Sequence, residues 1–258
     1  LSRPKKRYGQ HFLHDPGTID RIVRAIAPRP GDRLVEIGPG RGAISAALLA
    51  AAGALDVIEI DADVVPALIR RCEGHGELRV HRADALEFDL RALRGNGVKL
   101  RLAGNLPYNV STPLLFRLLE QLDVIADMHF MLQKEVVARM AARPGTSDYG
   151  RLTVMLAPLV RVRPLFDIGA GAFSPPPRVQ STFFALEPLA EPPFPIGDRA
   201  AFARVVAAAF SQRRKTLRNS LRGLLDSHAI EAAGIDPGAR PETLPPAAFA
   251  ALAARTRS

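Results

Sequence analysis

The 258-residue sequence contains a single cysteine, Cys72, so no internal disulfide can form, and no Cys/His cluster has zinc-ligand spacing. Disulfide scaffolds and structural zinc sites are thereby excluded, and no metal is expected. Long hydrophobic runs are also missing. No apolar stretch approaches the ~20 residues that cross a bilayer, so no membrane partner is expected. Residues 1–10 are basic and then polar, with no hydrophobic segment or cleavage site behind them, which predicts no secretory signal and a cytoplasmic location. What is present is ordinary for a globular chain, at 47% hydrophobic and 24% charged, and the length suits one large domain with a smaller companion. Thirty-five Lys and Arg against 26 Asp and Glu leave a net charge of +9, which favours a polyanionic partner such as nucleic acid. Part of that bias is compositional, because arginine far outnumbers lysine and alanine is abundant throughout.

Short apolar runs alternate with helical patterns over the first three-quarters of the chain. Residues 34–37, 56–60, 78–80, 100–103 and 128–132 read as strands, and Ile44, Leu48, Leu49, then Val64, Val65, Leu68, Ile69, then Leu114, Leu115, Leu118, Leu119 have helical spacing. Such alternation predicts crossover units and a mostly parallel α/β sheet with helices on both faces. Ligands of such sheets sit at the carboxyl ends of the strands. Residues 187–195 are too rich in proline to continue a central strand and read as a linker. Beyond them only helical patterns remain, so the expected organisation is an α/β domain over 1–187 and a small all-helical domain over 188–258.

The first strand runs into Glu36-Ile37-Gly38-Pro39-Gly40-Arg41-Gly42, and this loop is expected to open a helix. Glycines there allow close backbone approach to a ligand, and a helix N-terminus offers unpaired N–H groups. The next strand ends at Glu59-Ile60, about twenty residues on, where a carboxylate can accept from both hydroxyls of a ribose. A nucleoside-containing cofactor is the implication. NAD competes, because Gly38, Gly40 and Ala43 also fit a dinucleotide fingerprint. S-adenosyl-L-methionine is favoured by the third glycine, Gly42, and by Ala83-Asp84-Ala85 at the third strand end, where Asp84 can accept from an adenine amine. A base-directed motif at the fourth strand end favours it as well.

That motif is Asn105-Leu106-Pro107-Tyr108. The exocyclic N6 of adenine is a poor nucleophile because its lone pair is delocalised into the ring. A site that methylates it needs acceptors for the N6 hydrogens, so that the nitrogen moves towards sp³ geometry. An Asn oxygen and a carbonyl in the rigid Leu106-Pro107 turn supply both. Tyr108 then offers an aromatic face on which an extruded base can stack.

These motifs together resemble the ribosomal RNA adenine N6,N6-dimethyltransferase family, and in particular its bacterial small-subunit branch. Gln10-His11-Phe12-Leu13 resembles the family's opening Q-N-F-L, with His11 in place of the usual Asn. The glycine loop and Asn105 to Thr112 resemble its cofactor and catalytic segments. Gln133-Lys134-Glu135-Val136, Tyr149-Gly150-Arg151-Leu152, Phe173 to Val179 and Gln212 to Ser220 follow in the family's order. The resemblance implies that His11 and Leu13 line the cofactor entrance and that Gly38, with Gly40, meets the methionine part. It implies that Glu59, beside Ile60, holds the ribose, that Asp84, beside Ala85, holds the adenine, and that Asn105 bridges cofactor and target. Phe173 would be a second aromatic wall opposite Tyr108, the alternative being a core phenylalanine.

For the RNA itself, Arg213, Arg214, Lys215, Arg218 and Arg222 read as one helical stretch with 214, 218 and 222 along a face, suited to phosphates. Arg3, Lys5, Lys6 and Arg7 form a second basic run. The substrate implied by the resemblance is small-subunit (16S) rRNA, near whose 3′ end two adjacent adenosines each receive two methyl groups. Two other readings stay open: a large-subunit rRNA dimethyltransferase of the antibiotic-resistance type, and an assembly factor acting mainly by binding. A monomer is the expected working form. Cys72, His75, His81, His129 and His228 are assigned no chemistry.

Overall fold

In the computed structural model, which describes residues 11–212 and 215–256, the apolar runs form a seven-stranded sheet. The chain enters it at β2 (Arg33–Ile37), preceded by a short β1 (Phe12–Leu13) and helix α1 (Pro16–Ile26). Four of the five β2 residues are buried in succession, as expected of a strand covered on both faces. From β2 the chain winds through α2 (Ser45–Ala52) to β3 (Ala54–Ile58), then through α3 (Val65–Cys72) to β4 (Glu77–His81). It next returns through α4 (Leu90–Arg94) to the other side of β2, where β5 (Leu100–Asn105), α5 (Ser111–Leu119) and β6 (Ile125–Gln133) follow. All four pairings among β2 to β6 are parallel, and the sheet order is β4-β3-β2-β5-β6 before two later strands. This is the Rossmann-like, doubly wound arrangement. The winding reverses at β2, so a crevice opens at its carboxyl end, between the ends of β3 and β5.

After β6 come α6 (Lys134–Met140), α7 (Arg151–Leu156), β7 (Val160–Ile168), β8 (Phe173–Ser174) and β9 (Ser181–Pro188). β9 pairs antiparallel with β6 and lies between it and the edge strand β7. β8 instead pairs antiparallel with β1, with Leu13 opposite Phe173. Helix α1 is capped at both ends by side chains. Asp15 accepts from the Thr18 backbone N at 2.7 Å and from its hydroxyl at 2.6 Å, which holds the carboxyl below its ordinary range. At the other end Ala27 takes a left-handed φ of 49°, and Arg101 donates to the Ile26 carbonyl at 2.6 Å and to that of Ala27 at 3.3 Å.

The chain divides into two compact units, one running through Val137 and resuming at Arg163–Pro188, the other made of Ala138–Val162 and the chain from Leu189. The expected division at 187/188 therefore needs a correction, because residues 138–162 belong with the helices. The cause is apolar burial: Tyr149 and Val154 share a core with Phe202, Val206, Leu217, Phe249 and Leu252. The Tyr149 hydroxyl also donates to the Leu244 carbonyl at 2.7 Å. The second unit is otherwise helical, with α8 (Arg199–Ala209), α9 (Leu217–Ser220), α10 (Ser227–Ala232) and α11 (Pro246–Ala253). Among the described residues no helix is long and apolar enough to cross a membrane.

Candidate active site

The crevice at the carboxyl end of β2 is a cavity of about 450 Å³, within the size range of small-molecule sites. Its floor is the glycine loop. Gly38, Gly40 and Gly42 all have positive φ, and at Gly40 (φ 55°) a side chain would also meet the Phe12 ring, at 3.1 Å from Cβ. Contrary to expectation the loop does not enter a helix directly. Residues 40–44 turn first, and α2 begins only at Ser45. The loop's N–H groups go elsewhere: Gly38 N donates to the Ile58 carbonyl at 2.9 Å, and Gly40 N donates to Glu59 Oε2 at 3.0 Å.

Glu59 is thereby fixed from two sides, since its Oε1 accepts from Asp61 N at 2.8 Å. Burial pushes its carboxyl pKa up, against the backbone N–H bonds that hold it down. Each carboxylate oxygen carries two lone pairs, so both keep an acceptor site for a ligand hydroxyl. Beyond Glu59, Ile60 lines the cavity as a half-exposed apolar side chain. Asp84 and Ala85, after β4, line it too, with Asp84 Oδ1 accepting from Leu86 N at 2.9 Å.

The opposite wall is built by Asn105, the last residue of β5, and Leu106 to Tyr108 just beyond it. Gly104 just before them is required by strand spacing, because a Cβ there would come within 2.3 Å of the Ile37 carbonyl oxygen. The Asn105 amide Nδ2 donates to the His11 carbonyl at 2.9 Å, which leaves its side-chain oxygen as the acceptor on offer. Leu106 N donates to Met131 O at 3.3 Å, and Val110 N closes the turn onto Pro107 O at 3.2 Å. The Tyr108 phenol lies 2.6 Å from the Ser181 hydroxyl, and burial raises its pKa more than that bond lowers it. His11 stacks against the Tyr108 ring with centroids 5.7 Å apart. His11, Leu13, Gly38, Gly40, Glu59, Ile60, Asp84, Ala85 and the segment Asn105 to Tyr108 thus all line one cavity.

Phe173 does not join them. It is 2% exposed and packs in the main apolar core, because β8 pairs with β1 and places it opposite Leu13. The expected second aromatic wall is therefore a core phenylalanine in this structure. The basic stretch also departs from its expected form. Helix α9 ends at Ser220, and the chain turns at Leu221 to Leu224, with Gly223 at φ 95°, so 218 and 222 do not repeat along one helical face. Lys215, Arg218 and Arg222 are exposed, while Arg213, Arg214 and the run at residues 3–7 lie outside the described residues.

Two features escaped the reading of the sequence. Glu36, first residue of the loop motif, is 2% exposed, lines the cavity and accepts from the Ser45 hydroxyl. Burial pushes its pKa up to about 8, with Ser45 opposing and Glu59 adding to the rise. Its place in the E-x-G-x-G-x-G pattern is the signal that could have marked it. Ser181, the partner of Tyr108, is 73 residues away in sequence and has no local signal at all.

Against this geometry the comparisons with known proteins are consistent. The family model described as ribosomal RNA adenine dimethylase matches residues 1–257. The chain is 55% identical over 251 residues to the ribosomal RNA small subunit methyltransferase A of Pseudomonas aeruginosa, covering 97% of this chain and 94% of that protein. It is likewise 55% identical over 249 residues to the protein of that name from Methylococcus capsulatus, covering 96% of each. Among solved structures it is similar to a dimethyladenosine transferase from Plasmodium falciparum, with a TM-score of 0.76, 25% identity and coverage of 94% and 96%. It is also similar to the 23S rRNA methyltransferase ErmE, with a TM-score of 0.70, 27% identity and coverage of 95% and 99%.

Proposed function

The chain belongs to the ribosomal RNA adenine dimethylase family, and from that premise we propose that it dimethylates the N6 amines of two adjacent adenosines near the 3′ end of small-subunit (16S) rRNA. The observation that carries this reading is the convergence of the glycine loop, Glu59 and Asn105 to Tyr108 on a single cavity at the winding reversal of the sheet. The cavity fits S-adenosyl-L-methionine in size and in donor set, with an apolar Ile60 beside two carboxylates that retain free lone pairs. Bound there, the cofactor supplies a methyl group made electrophilic by a sulfonium.

The protein's own part is to bind and orient. Glu59 holds the ribose hydroxyls, Asp84 the adenine amine, and the Gly38 to Gly40 backbone the methionine end. Asn105 uses its oxygen to accept one N6 hydrogen of the target, while the turn at Leu106-Pro107 presents a carbonyl to the other. Tyr108, its phenol anchored on Ser181, gives the extruded base a face to stack on. Lys215, Arg218 and Arg222 of the second unit, with Arg213 and Arg214, bind phosphates of the RNA. Every described cavity-lining group comes from the first unit, which supports a monomer as the working form, and action on ribosomal RNA supports a cytoplasmic location.

The likeness to a 23S rRNA methyltransferase favours one rival, methylation of the large subunit. Each ribosomal subunit, isolated from cells lacking the modification, is incubated separately with the protein and labelled cofactor. Mass spectrometry of the nucleosides should then find N6,N6-dimethyladenosine on the small subunit. Label confined to the large subunit would transfer the assignment there. A role as an assembly factor is compatible with the enzyme, and an inactive variant that fully restored subunit maturation would show that binding alone suffices for that role.

A further inference from the structure

We propose that Phe12 is a positioning residue that sets the direction of the Asn105 side-chain oxygen relative to the glycine loop, an inference that rests on the N6 methylation proposed above. The Phe12 ring seats on the loop where Gly40 has no side chain, with two ring carbons 3.1 and 3.2 Å from where a Cβ would stand. The Arg41 guanidinium stands over the ring, its central carbon 4.3 Å from the ring centroid. Gly40 is itself fixed, because its N donates to Glu59 at 3.0 Å. The ring is thus held by the wall assigned to the cofactor.

The backbone of the same residue reaches the other wall. The His11 carbonyl and the N and Cα of Phe12 belong to one planar peptide unit. That carbonyl accepts from Asn105 Nδ2 at 2.9 Å. The Asn105 carboxamide is planar as well, so holding Nδ2 fixes the bearing of its oxygen. Two rigid plates joined by one hydrogen bond therefore run from the glycine loop to the acceptor proposed for N6. Strand alternation sends the next side chain, Leu13, into the core opposite Phe173 and leaves Phe12 on the loop side. Along its length β1 is secured by pairing with β8 and by His14 N, which donates to the Ala172 carbonyl at 2.9 Å.

The reaction makes that bearing matter. An acceptor guides N6 only when its oxygen lies in line with an N6 hydrogen while the nitrogen lone pair faces the methyl carbon. A misplacement of about 1 Å costs about 100-fold in a reaction that depends on positioning. Adjacent strands β2 and β5 fix the distance between the loops that follow them, but a side-chain amide can still rotate about its own bonds. The His11 carbonyl removes that freedom, and Phe12 holds the carbonyl. The bond from Tyr108 to Ser181 does not serve this end, since it joins target-side residues to each other.

The experiment measures single-turnover methylation of small subunits lacking the mark, at saturating cofactor, for wild type, Phe12→Ala and Phe12→Leu. It repeats Phe12→Ala in an Asn105→Ala background. Phe12→Ala should slow methylation about 30-fold, and Phe12→Leu, which keeps an apolar side chain on the loop, should stay within about fivefold of wild type. With no amide left to orient, Phe12→Ala should cost less than about twofold in the Asn105→Ala background. Arg41→Ala uncovers the ring without removing it and should give a loss of about threefold that likewise vanishes without Asn105. A second readout needs no turnover: in the cofactor-free protein the ¹⁵N-correlated side-chain amide signals of Asn105 should shift in Phe12→Ala and exchange faster with water. Equal losses with and without Asn105, or an unmoved Asn105 amide signal in Phe12→Ala, overturn the proposal. Wild type that fails to methylate N6 at all overturns the functional reading instead.

Discussion

The two walls of the cavity are held in different ways. On the cofactor side the decisive bond, Gly40 N to Glu59, spans 19 residues and joins the ends of adjacent strands. On the target side Asn105 is tied to His11 across 94 residues, Tyr108 to Ser181 across 73, and His11 to Pro175 across 164. The first wall is assembled by neighbouring crossover units. The second is assembled only when the chain ahead of the sheet and its last strands have come together. On the proposed roles, binding the cofactor is a local property of the sheet, and presenting the target amine is a property of the whole first unit.

Substitutions can separate the walls. With the acceptor role proposed for Asn105, Asn105→Ala should lower methylation by about 1,000-fold while thermal denaturation shows an intact fold. Turnover near that of wild type would remove Asn105 from the chemistry. Glu59→Ala strikes the other wall: it strips the ribose of its acceptor and leaves Gly40 N and Asp61 N without theirs. Cofactor affinity measured by calorimetry should weaken by about 2 kcal/mol, roughly thirtyfold. Unchanged affinity would refute the ribose assignment.

Glu36 lets the cofactor wall be probed through pH. With a pKa near 8 in the folded protein against 4.5 for the free group, it stays protonated on folding where the unfolded chain has already lost its proton. The unfolded state binds fewer protons across that window, so the contribution to stability is complete below 4.5 and is lost as pH rises through about 8. Glu36→Gln cannot ionise, and its denaturation midpoint should gain on wild type between about pH 5 and about pH 9. A constant gap would mean the carboxyl is ionised throughout. The smallest effect belongs to the target wall. Ser181→Ala removes one hydrogen bond to Tyr108, worth about 1 kcal/mol, and should slow methylation about fivefold with cofactor affinity untouched.

The difference between the walls also explains what could be read from the sequence. Four of the parallel strands, β2, β3, β5 and β6, were legible as largely buried apolar runs, and β4, a half-buried edge strand, by its Leu78 and Val80; the residues at their ends followed from the rule that ligands gather there. β7 was not legible, since Pro164 in its middle reads as a break, and only its edge position makes that proline tolerable. The burial of Phe173 depends on a two-residue pairing with β1 that has no pattern of its own. The helical spacing of 214, 218 and 222 was a true periodicity in the letters, but α9 stops at Ser220 before it can be expressed. The grouping of residues 138–162 with the helices likewise follows from Tyr149 and Val154, whose partners lie in distant sequence.

One glycine has a consequence for the reaction itself. β2 and β5 are hydrogen-bonded neighbours, in register at Glu36 and Ala103, and Gly104 lets the Ile37 carbonyl approach closely just where each strand gives way to its loop. The loop proposed to cradle the methyl donor and the turn proposed to grip the acceptor are thus mounted one strand pitch apart, about 4.8 Å. Their separation is gauged by backbone ladder rather than by side-chain rotamers, so both partners ride on a single rigid ruler through successive transfers.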